Sequence, residues 1–501
     1  MFRTKDSILN SYYRPVLEII YRILFILFGP VAAGYHVFNF LLHFVNGLML
    51  FVVLRNWLEP YYPSDTSISK HAAFWVSLFF LVHPIQTEAV ACISGISNLV
   101  YVFFVLLCFY AYQKIKWTGI LLISFFCGLM AKEQTAAVPF ILFGADWIIN
   151  KNSFLKVLKG KWQVWLGLSV VFVLYFLMRR YAGHSTNEFV FLLKPEELIL
   201  RVASIPSTLL MYIKLVLWPT ELHYYRSTDV LAPWLKPLLV LLTVKLGIVF
   251  IMVRLDPDRR RIAGFGLIWF LVVLLPVLNI VPLVNEYSYI LSSEHFLYLP
   301  VVGFLLFIFV VFDAFISCAA VKIRVAILCS LAIICGILSF NQIWVWRDEV
   351  SLFERTVKYE PGFARGRHLL GVAYADRGEF DKALEQYSVA VDRMKYYDSV
   401  ALDANAQLFY RRFAADIYFD AASAYLSMNN RMAALILAKK SLRCDPDNVK
   451  SLNLEGVIYG SMKQYKASKK YFERALKITP LDVNLKHNYE RTMKFIQGEG
   501  K

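Results

Sequence analysis

Residues 35–54 read YHVFNFLLHFVNGLMLFVVL, with no Asp, Glu, Lys or Arg. A helix of about twenty apolar residues matches the hydrocarbon thickness of a bilayer. The stretch is therefore expected to span a membrane. Its polar members, His36, Asn39, His43 and Asn46, fall within about one quadrant of a helical wheel. A polar stripe on a spanning helix should face the interior of a bundle. Hydrogen bonding between helices accounts for that stripe more simply than direct ligand contact does.

Similar runs recur at about 71–83, 96–112, 117–131, 135–149, 161–179, 235–254, 263–282, 298–316 and 323–341, which makes about ten spans. Tyr13 to Gly29 is shorter, with Glu18 and Arg22 one turn apart, and is expected to lie in the interface. Lys245 sits in the middle of its span and is expected to have a partner inside the bundle. The chain is 58% hydrophobic with a mean hydropathy of +0.52, too apolar for a soluble protein of 501 residues. After about residue 341 it turns polar. The sequence thus predicts an all-α protein: a polytopic helical membrane domain, 1–340, and a soluble tail, 341–501.

The net charge of +16 is shared. Residues 1–340 hold 27 Lys+Arg and 17 Asp+Glu, and residues 341–501 hold 26 and 20. No basic patch is concentrated enough for nucleic acid, and a bilayer with anionic lipid is the expected partner. None of the seven cysteines shows metal-ligand spacing, so no metal site is expected, and no disulfide framework is implied. Residues 1–10, MFRTKDSILN, lack the apolar core of a cleavable signal.

The tightest basic clusters are Lys114 and Lys116; Lys151, Lys156, Lys159 and Lys161; Arg254 and Arg259–Arg261; Lys322 and Arg324. The positive-inside rule places these loops in the cytoplasm. That requires residues 197–217, which carry Arg201, Pro206 and Lys214, not to cross. They are expected to be interfacial or re-entrant within a long outer loop, about 180–234. The loop at His83–Asn98 and the tail then face outward. So does the N-terminus, which predicts a missing upstream span.

The outward stretch Leu81–Asn98 reads LVHPIQTEAVACISGISN. Pro84 breaks the helix after His83, and Thr87 can cap a new one with Glu88 in its first turn. An acid at that depth marks either a helix cap or a site. Glu88 is the candidate catalytic acid. Lys132 and Glu133 can pair with each other, or Lys132 can bind phosphate.

The tail repeats. Gly371, Ala373, Tyr374, Ala383, Tyr387 and Ala390 fit the 34-residue tetratricopeptide pattern. So do Ala422, Tyr425, Ala434 and Pro446, and again Gly456, Tyr459, Tyr465, Phe472, Ala475 and Pro480. Ala422 to Gly456 is one period, whereas Gly371 to Ala422 is 51 residues, so about 17 are inserted near Lys395–Arg411. A half repeat at 341–361, repeats at about 364–394, 415–448 and 449–482, and a capping helix at 483–497 are expected. Such an α-solenoid is expected to bind an acceptor or partner protein.

The ordered set SYYRP (11–15), GYHVFNFLLHFVNGLML (34–50), HPIQTEAV (83–90), AKEQ (131–134), NIVP (279–282) and SEHFLYLP (293–300) resembles one family. It is that of the transmembrane and tetratricopeptide-repeat protein O-mannosyltransferases with their bacterial relatives, in the GT-C glycosyltransferase superfamily. The resemblance implies sugar transfer from a polyprenyl-phosphate donor to Ser or Thr hydroxyls outside the membrane, with no further cofactor required. It implies a donor phosphate held by Arg14, Lys132 and His295, with Arg201 and Arg226 on the same side. Glu88 would serve as acid, supported by His83, His43, Asn46, Glu133 and Glu294. The implied location is a bacterial inner membrane with periplasmic repeats, or alternatively the endoplasmic reticulum with luminal repeats. Three departures stand out. The acidic pair that relatives carry ahead of the SYYRP-like segment is reduced to Asp6. Gly95-Ile96-Ser97-Asn98 replaces Gly-Arg-x-Asp, and Glu294-His295 replaces Glu-Arg. The alternative they favour is an inactive membrane-anchored repeat scaffold.

Overall fold

The computed structural model describes residues 13–59, 66–114, 118–182, 195–229, 234–278, 289–317, 319–400 and 404–498. Asp6 and the NIVP motif lie outside them. Contacts divide the chain into two units after Trp346. The join expected at 340 falls inside a helix that runs unbroken to Val345.

The first unit begins with α1 (Pro15–Phe28), α2 (Ala32–Leu58), α3 (Thr66–Val82), α4 (Thr87–Ala91), α5 (Ile96–Tyr112) and α6 (Thr118–Ala131). Next come α7 (Val138–Gly144), which continues as a π turn over Ala145–Ile149, α8 (Phe154–Gly160) and α9 (Trp162–Tyr181). Then follow α10 (Pro195–Ala203), α11 (Ile205–Leu217), α12 (Leu235–Arg254), α13 (Pro257–Leu274), α14 (Pro300–Phe315) and α15 (Val321–Val345). The described residues are helical apart from turns and one two-stranded ribbon, β1 (Arg226–Asp229) with β2 (Tyr289–Ser292). Six helices are long and apolar enough to cross a membrane, or seven if the pair bent by 53° around His83 is one span. α6 and α14 are apolar but shorter. The protein is multi-pass.

The stripe on α2 turns inward as expected at three positions: Asn39, His43 and Asn46 are buried. His36, near the start of the helix, is exposed. α13 and α14 approach closely because glycine faces glycine. A Cβ on Gly266 would sit 2.5 Å from the Gly303 carbonyl oxygen, and one on Gly303 would meet the Gly266 carbonyl. Lys245 corrects an expectation. None of the residues of α12 is buried, and Lys245 is exposed, with no interior partner among the described residues.

The unit has two chemically distinct ends. Asn98 in the first turn of α5 bonds Lys132, whereas Tyr112 at its last turn bonds Asp146. Seventeen residues of helix set these ends roughly 25 Å apart. Ion pairs gather the basic loops at the Asp146 end: Lys151–Asp258 at 2.7 Å, Arg259–Asp313 at 2.9 Å and Arg324–Asp313 at 3.3 Å. α9 ends at the other face, where Arg179 reaches Glu133 at 3.4 Å. α12 runs from that face towards Arg254, so the segment between α9 and α12 starts and finishes on the Lys132 side. α11 is docked there, its Val216 carbonyl 3.0 Å from His83 Nε2.

The second unit is a run of helical hairpins: α16 (Glu349–Tyr359), α17 (Ala364–Asp376), α18 (Phe380–Val400), α19 (Ala404–Ser427), α20 (Arg431–Cys444), α21 (Val449–Ser461), α22 (Tyr465–Ile478) and α23 (Val483–Ile496). The small residues of the repeat sit under rings. A Cβ on Gly456 would lie 2.5 Å from the Phe472 ring. The described inserted residues lengthen α18 and α19 to 21 and 24 residues.

Candidate functional site

The Lys132 end concentrates buried charge. Pro84 ends α3 and starts a single 3-10 turn, which sets α4 across the bundle end and turns Glu88 inward. Both carboxylate oxygens of Glu88 are occupied. The Ser293 hydroxyl donates to Oε1 at 2.6 Å and lies 2.9 Å from Oε2. The backbone N–H of His295 donates to Oε2 at 2.8 Å, and His295 Nδ1 lies 2.8 Å from Oε1. Glu88 is buried, while the His295 side chain keeps 19% of its surface exposed. A carboxylate on Nδ1 leaves Nε2 as the nitrogen open to a reactant.

Lys132 follows α6 and is only 6% exposed. Its ammonium bonds Asn98 Oδ1 and stands 5.5 Å from the centres of both the Tyr101 and Phe296 rings. Burial, with the charge of Arg14 added, lowers its pKa to about 7. Of the two alternatives for Lys132, the pair with Glu133 is not made. Glu133 turns instead to Arg14 at 2.9 Å and Arg179 at 3.4 Å. Burial works against ionisation of Glu133, but the pull of Arg14, a backbone bond and Arg179 hold its carboxyl below the usual range.

Glu294 is fully buried against Arg226, 2.9 Å away, and accepts the His223 N–H at 2.6 Å. Burial pushes its carboxyl up to about 7 against the attraction of Arg226. The ion pair ties β1 to the SEHF turn, which carries Ser293 and His295 between β2 and α14.

The structure therefore brings Arg14, Glu88, Lys132, Glu133, Glu294 and His295 to one end. His43 and Asn46 stand farther inside the bundle. His43 Nδ1 is 2.7 Å from the Tyr298 hydroxyl, and Asn46 donates to the Leu99 carbonyl and to that same hydroxyl, at 3.0 and 3.3 Å. They fix the helix that carries the SEHFLYLP motif. His83 is sealed between Val216 and the Ile85 N–H. Sequence reasoning missed Ser293, Arg179, Tyr101 and Phe296. Ser293 was visible as the first residue of its motif, but nothing in one sequence distinguishes Arg179 from a cation ending a span.

A tetratricopeptide-repeat family profile matches residues 449–480. The protein O-mannosyl-transferase TMTC4 of Mus musculus is 26% identical over 451 residues, covering 75% of this chain and 57% of that protein. Mus musculus TMTC3 is 22% identical over 518 residues, covering 93% of this chain and 53% of its own. The protein O-mannosyl-transferase F38B6.6 of Caenorhabditis elegans is 24% identical, covering 76% of this chain and 53% of that protein. The chain spans a little over half the length of these relatives. From the membrane unit through the repeats, it is related to the transmembrane and tetratricopeptide-repeat family of proteins named protein O-mannosyl-transferases.

Proposed function

We propose that the protein is a membrane glycosyltransferase that moves a sugar from a polyprenyl-phosphate donor to Ser or Thr of a protein outside the cytoplasm. The observation that carries this is Lys132, a buried ammonium that bonds an amide oxygen and faces two rings but makes no ion pair among the described residues. An anionic phosphate arriving at the bundle end supplies the charge it lacks. In the transfer, the acceptor oxygen bonds C1 of the sugar as the C1–phosphate oxygen bond breaks. Lys132 and Arg14 stabilise the charge growing on the departing polyprenyl phosphate. The acceptor proton passes to His295 Nε2, and Glu88 positions that imidazole and balances its charge. Glu294 and Arg226 hold the turn in place.

The basic loops, gathered at the opposite end, support a site on the non-cytoplasmic side by the positive-inside rule. That suits either a periplasm or a lumen. The repeats supply the surface for an acceptor or partner protein.

The test is transfer in detergent from polyprenyl-phosphate sugars to a Ser/Thr-containing protein. Mannose comes first, because the relatives are named for it. Lys132→Met is expected to weaken donor binding at least tenfold with the melting temperature unchanged. Unaltered donor affinity would remove Lys132 from the site. A folded protein that transfers no sugar from any donor would leave the repeat scaffold as its function.

A further inference from the structure

The end of the membrane unit remote from Lys132 holds a second hollow. A cavity of about 320 Å³ lies between the end of α5, the start of α6 and the α8–α9 corner. Among the described residues, the charged groups lining it are all cationic: Lys114, Lys159 and Lys161. Lys161 is fixed in the wall, its ammonium 3.1 Å from the Asp146 carboxylate and 3.7 Å from the centre of the Tyr112 ring. Asp146 is held in turn by the Tyr112 hydroxyl at 2.5 Å and the Asn150 amide at 2.6 Å. Lys114 and Lys159 have no ion-pair partner among the described residues. Three ammonium groups thus line the hollow and, among the described residues, only that of Lys161 is matched by a carboxylate, so the hollow is net positive.

Its surroundings are those of a lipid headgroup. Trp162 in its lining and Phe154 in the adjoining groove are exposed, as aromatic residues are at a membrane–water boundary. Beyond the cavity is an apolar groove of about 590 Å³, bounded by Phe125, Phe143, Leu158, Trp165 and Phe172. Trp165 stands between the two, its ring 6.0 Å from that of Tyr112 and its indole N–H bonded to the Val157 carbonyl at 3.0 Å. Past it, α9 exposes Leu166, Val170 and Val173 along the depth of the bilayer. A free phosphate has use only for the cavity. A lipid uses the cavity, the groove and the helix face together.

We propose that this corner binds an anionic phospholipid, with the headgroup phosphate among Lys114, Lys159 and Lys161 and the acyl chains along α9 in the adjoining groove. Basic pockets between spanning helices on the positive side are suited to such headgroups. The site is independent of the sugar-transfer reading, being on the other face.

The test uses the full chain, delipidated in non-ionic detergent, with native mass spectrometry and melting temperature as readouts. Phosphatidylglycerol is expected to bind one per chain and to raise the melting temperature, while phosphatidylcholine and millimolar inorganic phosphate do neither. The double substitution Lys114→Gln/Lys159→Gln should weaken phosphatidylglycerol binding at least tenfold. Lys114→Arg/Lys159→Arg should retain it, and so should Lys156→Gln, which lies on α8 but outside the lining. Equal retention by the double Gln variant, or equal binding of phosphatidylcholine, would overturn the proposal. A shift reproduced by inorganic phosphate alone would also overturn it, because the cavity would then be a site for free anions.

Discussion

Lys132 is buried and makes no ion pair with a carboxylate among the described residues, and its behaviour with pH follows from that burial. With its pKa lowered to about 7, the residue loses its charge as pH rises through neutrality. Glu294, pushed up to about 7, gains negative charge over the same range. Both changes disfavour an anion, whereas a sugar phosphodiester keeps its single charge throughout. Donor affinity is therefore expected to be flat below about pH 7 and to fall above it by up to about tenfold per pH unit. Titration calorimetry between pH 6 and 9 measures this, and Lys132→Met should flatten most of the dependence. Affinity that rises with pH would contradict the assignment. Glu88→Gln keeps size and hydrogen bonding but removes the charge that positions His295. It should cut transfer by roughly 10²–10⁴-fold. If Glu88 served only as a cap, about 0.5–2 kcal/mol of stability would be lost and turnover would stay near normal. Rates and melting curves recorded together separate the two.

At the scale of elements, close approach and turn geometry set the tolerances. α13 and α14 meet through Gly266 and Gly303, where an added side chain collides with backbone. Gly303→Leu is expected to cost more than about 3 kcal/mol, since rigid backbone cannot yield as a core side chain does. Loss of a monodisperse peak in detergent would report it. In the repeats, Gly378, Asn429 and Lys463 occupy the same turn of successive hairpins with φ of 78°, 61° and 59°. Glycine is at ease there and lysine is not. Lys463→Gly is expected to stabilise the α21–α22 hairpin by about 0.5–1 kcal/mol, visible as slower amide exchange in those helices. Faster exchange would mean that the lysine side chain contributes more than its backbone costs.

For the membrane unit as a whole, the polarity of its two ends is the governing feature. Ion pairs draw loops distant in sequence, around residues 151, 258, 313 and 324, onto one face, and the buried charges of Glu88, Lys132 and Glu294 onto the other. A cysteine at Asn152 and one at Glu221 should accordingly label from opposite sides of sealed vesicles with an impermeant thiol reagent. Labelling from the same side would refute the two-faced arrangement and with it the non-crossing path of α11.

The sequence by itself determined the class of the fold, because hydrocarbon admits helices whose backbone is satisfied internally and little else. Uncharged runs such as 35–54, and the 34-residue spacing from Ala422 to Gly456, are local patterns that packing need not be known to read. The ordered motifs also carried Glu88, Lys132, Glu294 and His295, the candidate residues that the structure gathers at one end. Their partners were another matter. Glu133 is adjacent to Lys132 in the chain yet pairs with Arg14 and Arg179, 119 and 46 residues away. Glu88 finds Ser293 and His295 across more than 200 residues. Lys245, expected inside, lies on a helix with no buried residue. Which face of a uniformly apolar helix turns inward is not encoded in its hydropathy, and neither is the partner of a lone charge. Those are decided by which helix ends meet, and only the tertiary structure brings them together.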